Sequence, residues 1–253
     1  MREHIEEFFI ALGIDTFGLA DLRGIACLTD DLGNSLSWAF SFAVPMNPKI
    51  MTGIIKGPNQ RYADEYSRVN RKIDAISKAL IIRHKERGFF AKAIPASERT
   101  DPQNMKGEFA HKTAATRAGL GWIGRNCQLI TKKYGPWVRL GTVFTNFPVV
   151  SADSRIEKSD EGILPRTMGG KPVTKSFCGD CRKCVDACPA GALAGNLWRS
   201  GIPREMLLDV RRCDFWKKEN YFQYNQGHNC GICAAVCPFG RGERQKTEKK
   251  RRN

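Results

Sequence analysis

Apolar and polar positions alternate with two different periods along the first 150 residues, and the changes of period mark out the elements. Residues 2–12 place Ile5, Phe8, Phe9 and Leu12 at helical spacing, with Gly13 as a stop signal. Residues 14–20 and 37–44 (Ser-Trp-Ala-Phe-Ser-Phe-Ala-Val) read as strands, the second ended by Pro45 and Pro48. The longest helical pattern runs over 60–87: Tyr62, Tyr66, Val69, Ile73, Ile76, Leu80 and Ile81 recur between charges until Gly88. A strand over 89–94 leads into a polar loop, 95–107, and residues 108–118 are again helical. Residues 129–132 and 138–144 read as two strands around a turn at Gly135-Pro136. Strands and helices mix without strict βαβ alternation, so the expected class is α+β.

Beyond residue 175 periodicity gives way to cysteine spacing. The run Cys178-x₂-Cys181-x₂-Cys184-x₃-Cys188-Pro189 has the pattern of bacterial two-cluster ferredoxins. A second run, Cys230-x₂-Cys233-x₃-Cys237-Pro238, follows, with Cys213 upstream. Eight thiolates suffice for two [4Fe–4S] clusters. In two-cluster ferredoxins the fourth cysteine of a run ligates the other cluster. That rule groups Cys178, Cys181, Cys184 and Cys237, and separately Cys188, Cys213, Cys230 and Cys233. Structural zinc also uses paired C-x₂-C units but seldom three cysteines at two-residue gaps followed by a fourth and a proline. A disulfide framework fits worse, because no signal-peptide pattern opens the chain. The remaining two of the ten cysteines, Cys27 and Cys127, read as small buried hydrophobes, with Cys127 the better functional candidate.

The chain divides into an α+β part over 1–172, a two-cluster ferredoxin-like part over 173–240 with a short helix over 190–194, and a tail over 241–253. At 253 residues there is ample chain for a sizeable core. No apolar run approaches the ~20 residues of a membrane span, so the expectation is a cytoplasmic protein with no membrane partner. The formal net charge is +15, and the tail carries seven basic residues against two acidic ones, which reads as a disordered, solubilising segment. Most of the excess charge lies elsewhere and favours a polyanionic partner.

Gly119-Leu-Gly121-Trp122-Ile-Gly124 matches G-x-G-x-x-G literally. A dinucleotide site would need a strand before it, a helix after it and an acidic residue about 20 positions on. Here a helical pattern precedes it, a strand follows, and residues 125–152 hold no Asp or Glu. The glycines instead permit close approach of backbone to another body, either packed protein or a flat cofactor.

With these segments in place, the chain resembles the epoxyqueuosine reductase family, which is related to the reductive dehalogenases. The resemblance rests on Phe42-Ala-Val-Pro45, Arg61-Tyr62-Ala63 with Tyr66, Ala118 to Arg125, Tyr134 to Gly141 with Phe144-Thr145, and the two cysteine runs with Arg212-Cys213 between them. It implies a nitroreductase-like N-terminal domain that binds cobalamin, two [4Fe–4S] clusters that deliver electrons to it, and a two-electron reduction. In that family the substrate is epoxyqueuosine in tRNA. A reduced ferredoxin or flavodoxin would be the electron donor. The resemblance also implies that Gly119, Gly121, Trp122, Gly124, Arg125, Tyr134 and Arg139 lie against the corrin. The alternative for Trp122 and Trp137 is ordinary core packing.

The sequence departs from the family at two points. The proton-donating Asp expected before the glycine-rich segment is replaced by Met105, so Asp101, Glu108 and His111 become the catalytic candidates. Asp101-Pro102 also reads as a turn starter. The C-terminal helical repeat domain of many family members is not seen in this sequence. The competing function is a ferredoxin-like electron carrier with neither cobalamin nor catalysis.

Overall fold

A computed structural model describes residues 2–25, 28–96, 99–147, 149–150, 164–165 and 170–241. Cys27, nearly all of the basic tail and most of residues 151–175, a polar Gly- and Pro-rich stretch that reads as a connecting segment, lie outside the described residues. The N-terminal part is a four-stranded antiparallel sheet with helices on both faces. Helix α1 spans Arg2–Ala11, β1 Phe17–Asp21, β2 Trp38–Pro45, α2 Pro48–Thr52, α3 Gln60–Lys85 and β3 Ala91–Ala93. They are followed by α4 His111–Arg117, β4 Gly121–Ile123, β5 Leu129–Thr131 and β6 Val138–Thr145. The main sheet has the order β1-β2-β6-β3, with Phe42 opposite Gly141 and Val44 opposite Arg139.

Strand β2 is buried on both faces, which explains its nearly unbroken apolar run. Phe40, Phe42 and Val44 point into a core with Ile5 and Phe9 of α1 and Val69, Ile73 and Leu80 of α3. Ala39 points the other way, onto Ala114, Ala115 and Phe144, where small residues let α4 approach. The α3 stripe over Tyr62, Tyr66, Val69, Ile73, Ile76 and Leu80 recurs at three- and four-residue steps. Asn59 caps that helix by accepting from the Tyr62 N–H.

The strands expected on either side of Gly135-Pro136 both exist but do not pair. β5 pairs with β4, inside the glycine-rich segment, whereas β6 enters the main sheet between β2 and β3. Short segments carry no record of which neighbour they pair with, and the three-residue β4 is too brief to show a period. The helix expected over 190–194 is absent: the chain turns there, with Gly191 at φ +56° and Leu193 bridged to Leu208. Helix is found instead at Lys183–Asp186 (α5), Val210–Tyr221 (α6, capped by the Asp209 carboxylate) and Ile232–Ala235 (α7).

The cysteine-rich part shares the core of the sheet domain. Ala234 and Ala235 of α7 lie in the same buried cluster as Met51, Ile54 and Tyr62. Trp137 donates its indole N–H to the Ala234 carbonyl at 2.8 Å. Among the described residues no helix is long and apolar enough to cross a membrane.

Candidate functional site

The eight cysteines of the two runs gather into two foursomes. One pocket is lined by Cys178, Cys181, Cys184 and Cys237, together with Arg125, Asn126 and Ile130. A second is lined by Cys188, Cys213, Cys230 and Cys233, with Cys127, Gln128 and Trp216. The first is narrow, ≈ 10 Å³, and the second is ≈ 140 Å³. Tight loops and short helices place them: α5 carries Cys184, α6 Cys213 and α7 Cys233.

Among the described residues, no three His, Cys, Asp or Glu side chains are close enough to hold a single metal ion. A mononuclear zinc would draw its sulfurs to about 4 Å of one another, given Zn–S bonds of about 2.3 Å. A cubane places each thiolate on its own corner iron. The all-sulfur donor set in two groups of four fits two such clusters. Burial pushes the Cys184 and Cys230 thiols up to about 11 and Cys237 up to about 12, so iron must displace protons to bind them.

Beside the second foursome opens a cavity of ≈ 460 Å³, within the range of cofactor sites. Cys213, Cys230 and Cys233 form one wall; Tyr62 and Tyr66 of α3, Val138 and Arg139 of β6, and the 107–112 segment form the others. The Arg139 guanidinium lies 4.0 Å from the Tyr66 ring centre and donates to Asn70 Oδ1 and the Ala96 carbonyl, so its charge is held in place. The ammonium of Lys112 donates to the Cys127 carbonyl at 2.6 Å and lies 3.4 Å from its sulfur. Cys127, buried and at φ +56°, lines both this cavity and the second cysteine pocket.

Of the residues expected against a corrin, Arg139 lines this cavity and the other six lie elsewhere. Gly119 and Gly121 do serve close backbone approach, but to protein. A Cβ on Gly119 would strike the Gly170 backbone, and one on Gly121 the Ile130 carbonyl. Gly124 packs on Ile130 and Asn126. Trp122 is buried edge-on between Phe177 and Phe239. Arg125 donates to the carbonyls of Gly195 and, at 2.7 Å, Gly179, clamping the first cysteine loop. The Tyr134 hydroxyl donates to Asp15 at 2.6 Å. The segment folds back as the β4–β5 hairpin, which packs Gly121 and Gly124 against Ile130.

The catalytic candidates separate as well. Asp101 accepts from the backbone N–H and side-chain amide of Asn104 at 3.0 and 2.8 Å, as a turn starter does, and does not line the cavity. Glu108 and His111 do line it. Glu108 pairs with Lys92 at 2.8 Å. His111 Nδ1 lies 2.8 Å from the Thr142 hydroxyl and Nε2 3.2 Å from the Pro95 carbonyl. A carbonyl can only accept, so Nε2 carries the hydrogen and Nδ1 accepts from Thr142. Burial lowers the ring's pKa to about 4, so it is neutral near pH 7 and has no surplus proton to donate.

Sequence reasoning missed Asn229. It is 2% exposed, and neither its amide nitrogen nor its oxygen has a hydrogen-bond partner. It lines the large cavity beside Cys230. The one available signal was a polar residue directly before a cysteine run. Gln128, whose amide nitrogen lies 3.7 Å from Cys233 Sγ, was missed too.

Comparison with known proteins agrees with this arrangement. Residues 177–240 match the 4Fe-4S double cluster binding domain, so the C-terminal part of the chain is a two-cluster iron–sulfur module. Just over half of the chain is related in sequence to the epoxyqueuosine reductases. It is 34% identical to that of Listeria monocytogenes over 138 residues, 54% of this chain and 31% of that protein. It is 30% identical to that of Bacillus subtilis over 155 residues, 61% of this chain and 35% of that protein. The match thus spans about a third of the length of these curated relatives.

In fold the chain is similar to a catabolic reductive dehalogenase solved with 3-bromo-4-hydroxybenzoic acid (TM-score 0.67, 19% identity, 96% of this chain and 33% of that one). A reductive dehalogenase whose structure suggests a mechanism for B12-dependent dehalogenation matches equally well (TM-score 0.67, 19% identity, 98% and 33%). An epoxyqueuosine reductase solved with an epoxyqueuosine-modified tRNA stem loop has a TM-score of 0.55 at 19% identity, over 95% of this chain and 65% of that one. The α+β class with a ferredoxin-like module is therefore shared with both groups.

Proposed function

We propose that this chain is an iron–sulfur oxidoreductase of epoxyqueuosine reductase type. Residues 1–172 form the cobalamin and substrate part and residues 173–240 the electron-delivering module. The two cysteine foursomes ligate one [4Fe–4S] cluster each. The observation that carries the proposal is the ≈ 460 Å³ cavity with Cys213, Cys230 and Cys233 in its wall. Any group bound there is a neighbour of the second cluster. A pure carrier has no use for such a cavity.

The residues present fit a corrinoid. Tyr62, Tyr66 and Phe109 offer aromatic and apolar surface, and Arg139 and Lys112 offer fixed cationic side chains. When bound, cobalamin supplies low-valent cobalt capable of two-electron reduction. The protein's own residues do the rest. The clusters pass electrons inward from a reduced ferredoxin or flavodoxin. Arg139, braced by Asn70 and Tyr66, would hold the cofactor through its polar rim. Glu108, paired with Lys92, faces the cavity and relays protons from solvent, while His111 holds the strand β6 wall in place through Thr142. For an epoxide substrate the balance is two electrons and two protons, which remove the oxygen as water and leave an alkene. We assign epoxyqueuosine in tRNA as that substrate and the cytoplasm as the site of reaction; the net charge of +15 suits a polyanion.

Anaerobically reconstituted protein tests this. Micromolar cobalamin should give the absorbance change of base-off binding, and epoxyqueuosine-containing tRNA should be converted with a chemical reductant. Clusters without any corrinoid spectral change would make the protein a carrier and overturn the proposal.

A further inference from the structure

Two exposed large hydrophobics of the cysteine-rich part lie side by side at the first foursome. Residues 174–177 and 197–200 pair antiparallel through Lys175 and Arg199. The Ser176 N–H donates to the Trp198 carbonyl at 2.8 Å and the Ser200 N–H to the Thr174 carbonyl at 2.7 Å. That register carries on to set Phe177 across from Leu197. Alternation along each segment puts Lys175, Phe177, Leu197 and Arg199 on one side, with Ser176 and Trp198 on the other. Burial agrees. Trp198 is enclosed with Trp122, Cys178 and Cys237, whereas Phe177 is 52% and Leu197 44% exposed, and Lys175 and Arg199 are exposed too. Arg182 joins this face, its guanidinium lying against Gly195, where a Cβ would meet it at 2.7 Å. Among the described residues no carboxylate pairs with Lys175, Arg182 or Arg199. Residues 171–199 carry five basic side chains against two acidic ones, all exposed, so the apolar centre has a cationic surround.

We propose that this face docks an acidic one-electron carrier protein, which reduces the first cluster there. Three observations select that partner. Phe177 directly precedes Cys178, so a protein seated on the face comes up against the edge of the first cluster. The ≈ 460 Å³ cavity is walled by Cys213, Cys230 and Cys233 of the other foursome, so electrons bound for the cavity enter at the first. The cationic surround complements an acidic partner and steers its approach, while Phe177 and Leu197 give it a small apolar centre to cover. A small patch of this kind suits the brief, low-area encounters of electron-transfer proteins. A nucleic-acid substrate has to reach the cavity beside the second foursome instead. Each encounter moves one electron: the carrier is oxidised, the first cluster is reduced, and no bond forms or breaks. The proposal deepens the electron-delivering role given above; it needs the two clusters but not cobalamin.

The test follows cluster bleaching when reconstituted, corrinoid-free protein is mixed anaerobically with an acidic flavodoxin in its hydroquinone state. Iron is measured first; protein that takes up none would sink the two-cluster reading, and this one with it, before any donor is added. The wild-type rate should fall about tenfold between about 50 mM and about 500 mM salt. Lys175→Glu with Arg199→Glu should slow reduction about tenfold at low salt and approach wild type at high salt. Lys78→Glu with Lys85→Glu, exposed on α3, changes the net charge equally and should stay within about twofold of wild type. Leu197→Ser should slow reduction about threefold at every salt concentration, since it removes apolar contact and not charge. The methyl viologen radical cation, which needs no docking face, should reduce every variant at least as fast as wild type. An unchanged flavodoxin rate in Lys175→Glu with Arg199→Glu overturns the inference; loss of salt-dependent tRNA binding in that variant would then make the face a nucleic-acid contact. Equal slowing in the α3 control overturns it as an effect of net charge alone. Iron loss or slowed viologen reduction overturns it as a structural role. So does a wild type that viologen reduces and flavodoxin does not.

Discussion

The neutral state of His111 can be tested through its effect on stability. The ring's pKa is lowered from 6.5 to about 4 by burial. A base whose folded pKa is depressed is protonated first in the unfolded chain. Its contribution to stability is therefore intact above about pH 6.5, falls as pH drops towards about 4, and is constant below that. Each unit is worth about 1.36 kcal/mol, which gives an upper bound of about 3.4 kcal/mol, of which about 1.8 kcal/mol appears between pH 7 and pH 5. The residue is mostly buried but keeps some exposure, where water screens the charge, so about 1 kcal/mol is the expected loss. Replacing His111 with Gln removes the titration. Urea unfolding of both proteins at pH 7 and pH 5 cancels the contribution of every other group. Wild type should lose about 1 kcal/mol more than His111→Gln on acidification. Equal losses would show that the ring is already protonated or solvated in the fold. The assignment of His111 as a neutral support for β6 would then be wrong, and a proton-donating role would return.

Three further outcomes follow from the geometry. Asp214, 3% exposed, holds Arg99 at 2.6 Å and Lys218 at 3.0 Å, which keep its carboxyl well below the ordinary range. Asp214→Ala should cost about 2 kcal/mol, less than a fully enclosed pair because both cations are partly exposed. In wild type this contribution is complete above about pH 4 and is lost as pH falls through the depressed folded value. Cys213→Ser should reduce iron from about eight to about four per chain and leave the cluster held by Cys178, Cys181, Cys184 and Cys237 visible by electron paramagnetic resonance. Loss of both signals would refute the separation into two foursomes. Gly121→Ala, which drives a methyl into the Ile130 carbonyl, should lower stability by about 1–3 kcal/mol in urea titrations, whereas a Gly121 facing an open cofactor site would tolerate the change.

The sequence by itself determined whatever is encoded by spacing along one element. Helix α3 was legible because 26 residues at a 3.6 period leave little room for another solution. The cysteine foursomes were legible because a cluster needs four sulfurs, and two-residue gaps on a tight loop can present only three of them together. Only the tertiary structure decided what depends on which surfaces meet. The glycine-rich segment could equally have faced a flat cofactor or its own chain, and the pairing of β4 with β5 chose the chain. Glu108 with His111 and Lys112 of α4, Arg139 of β6 and Asn229 stand far apart along the sequence, and no period links the three stretches. They share a cavity because α7 packs into the core of the sheet domain and brings Cys230 and Cys233 against β6. That is a long-range contact made by apolar burial, and its position cannot be read from any single stretch of sequence.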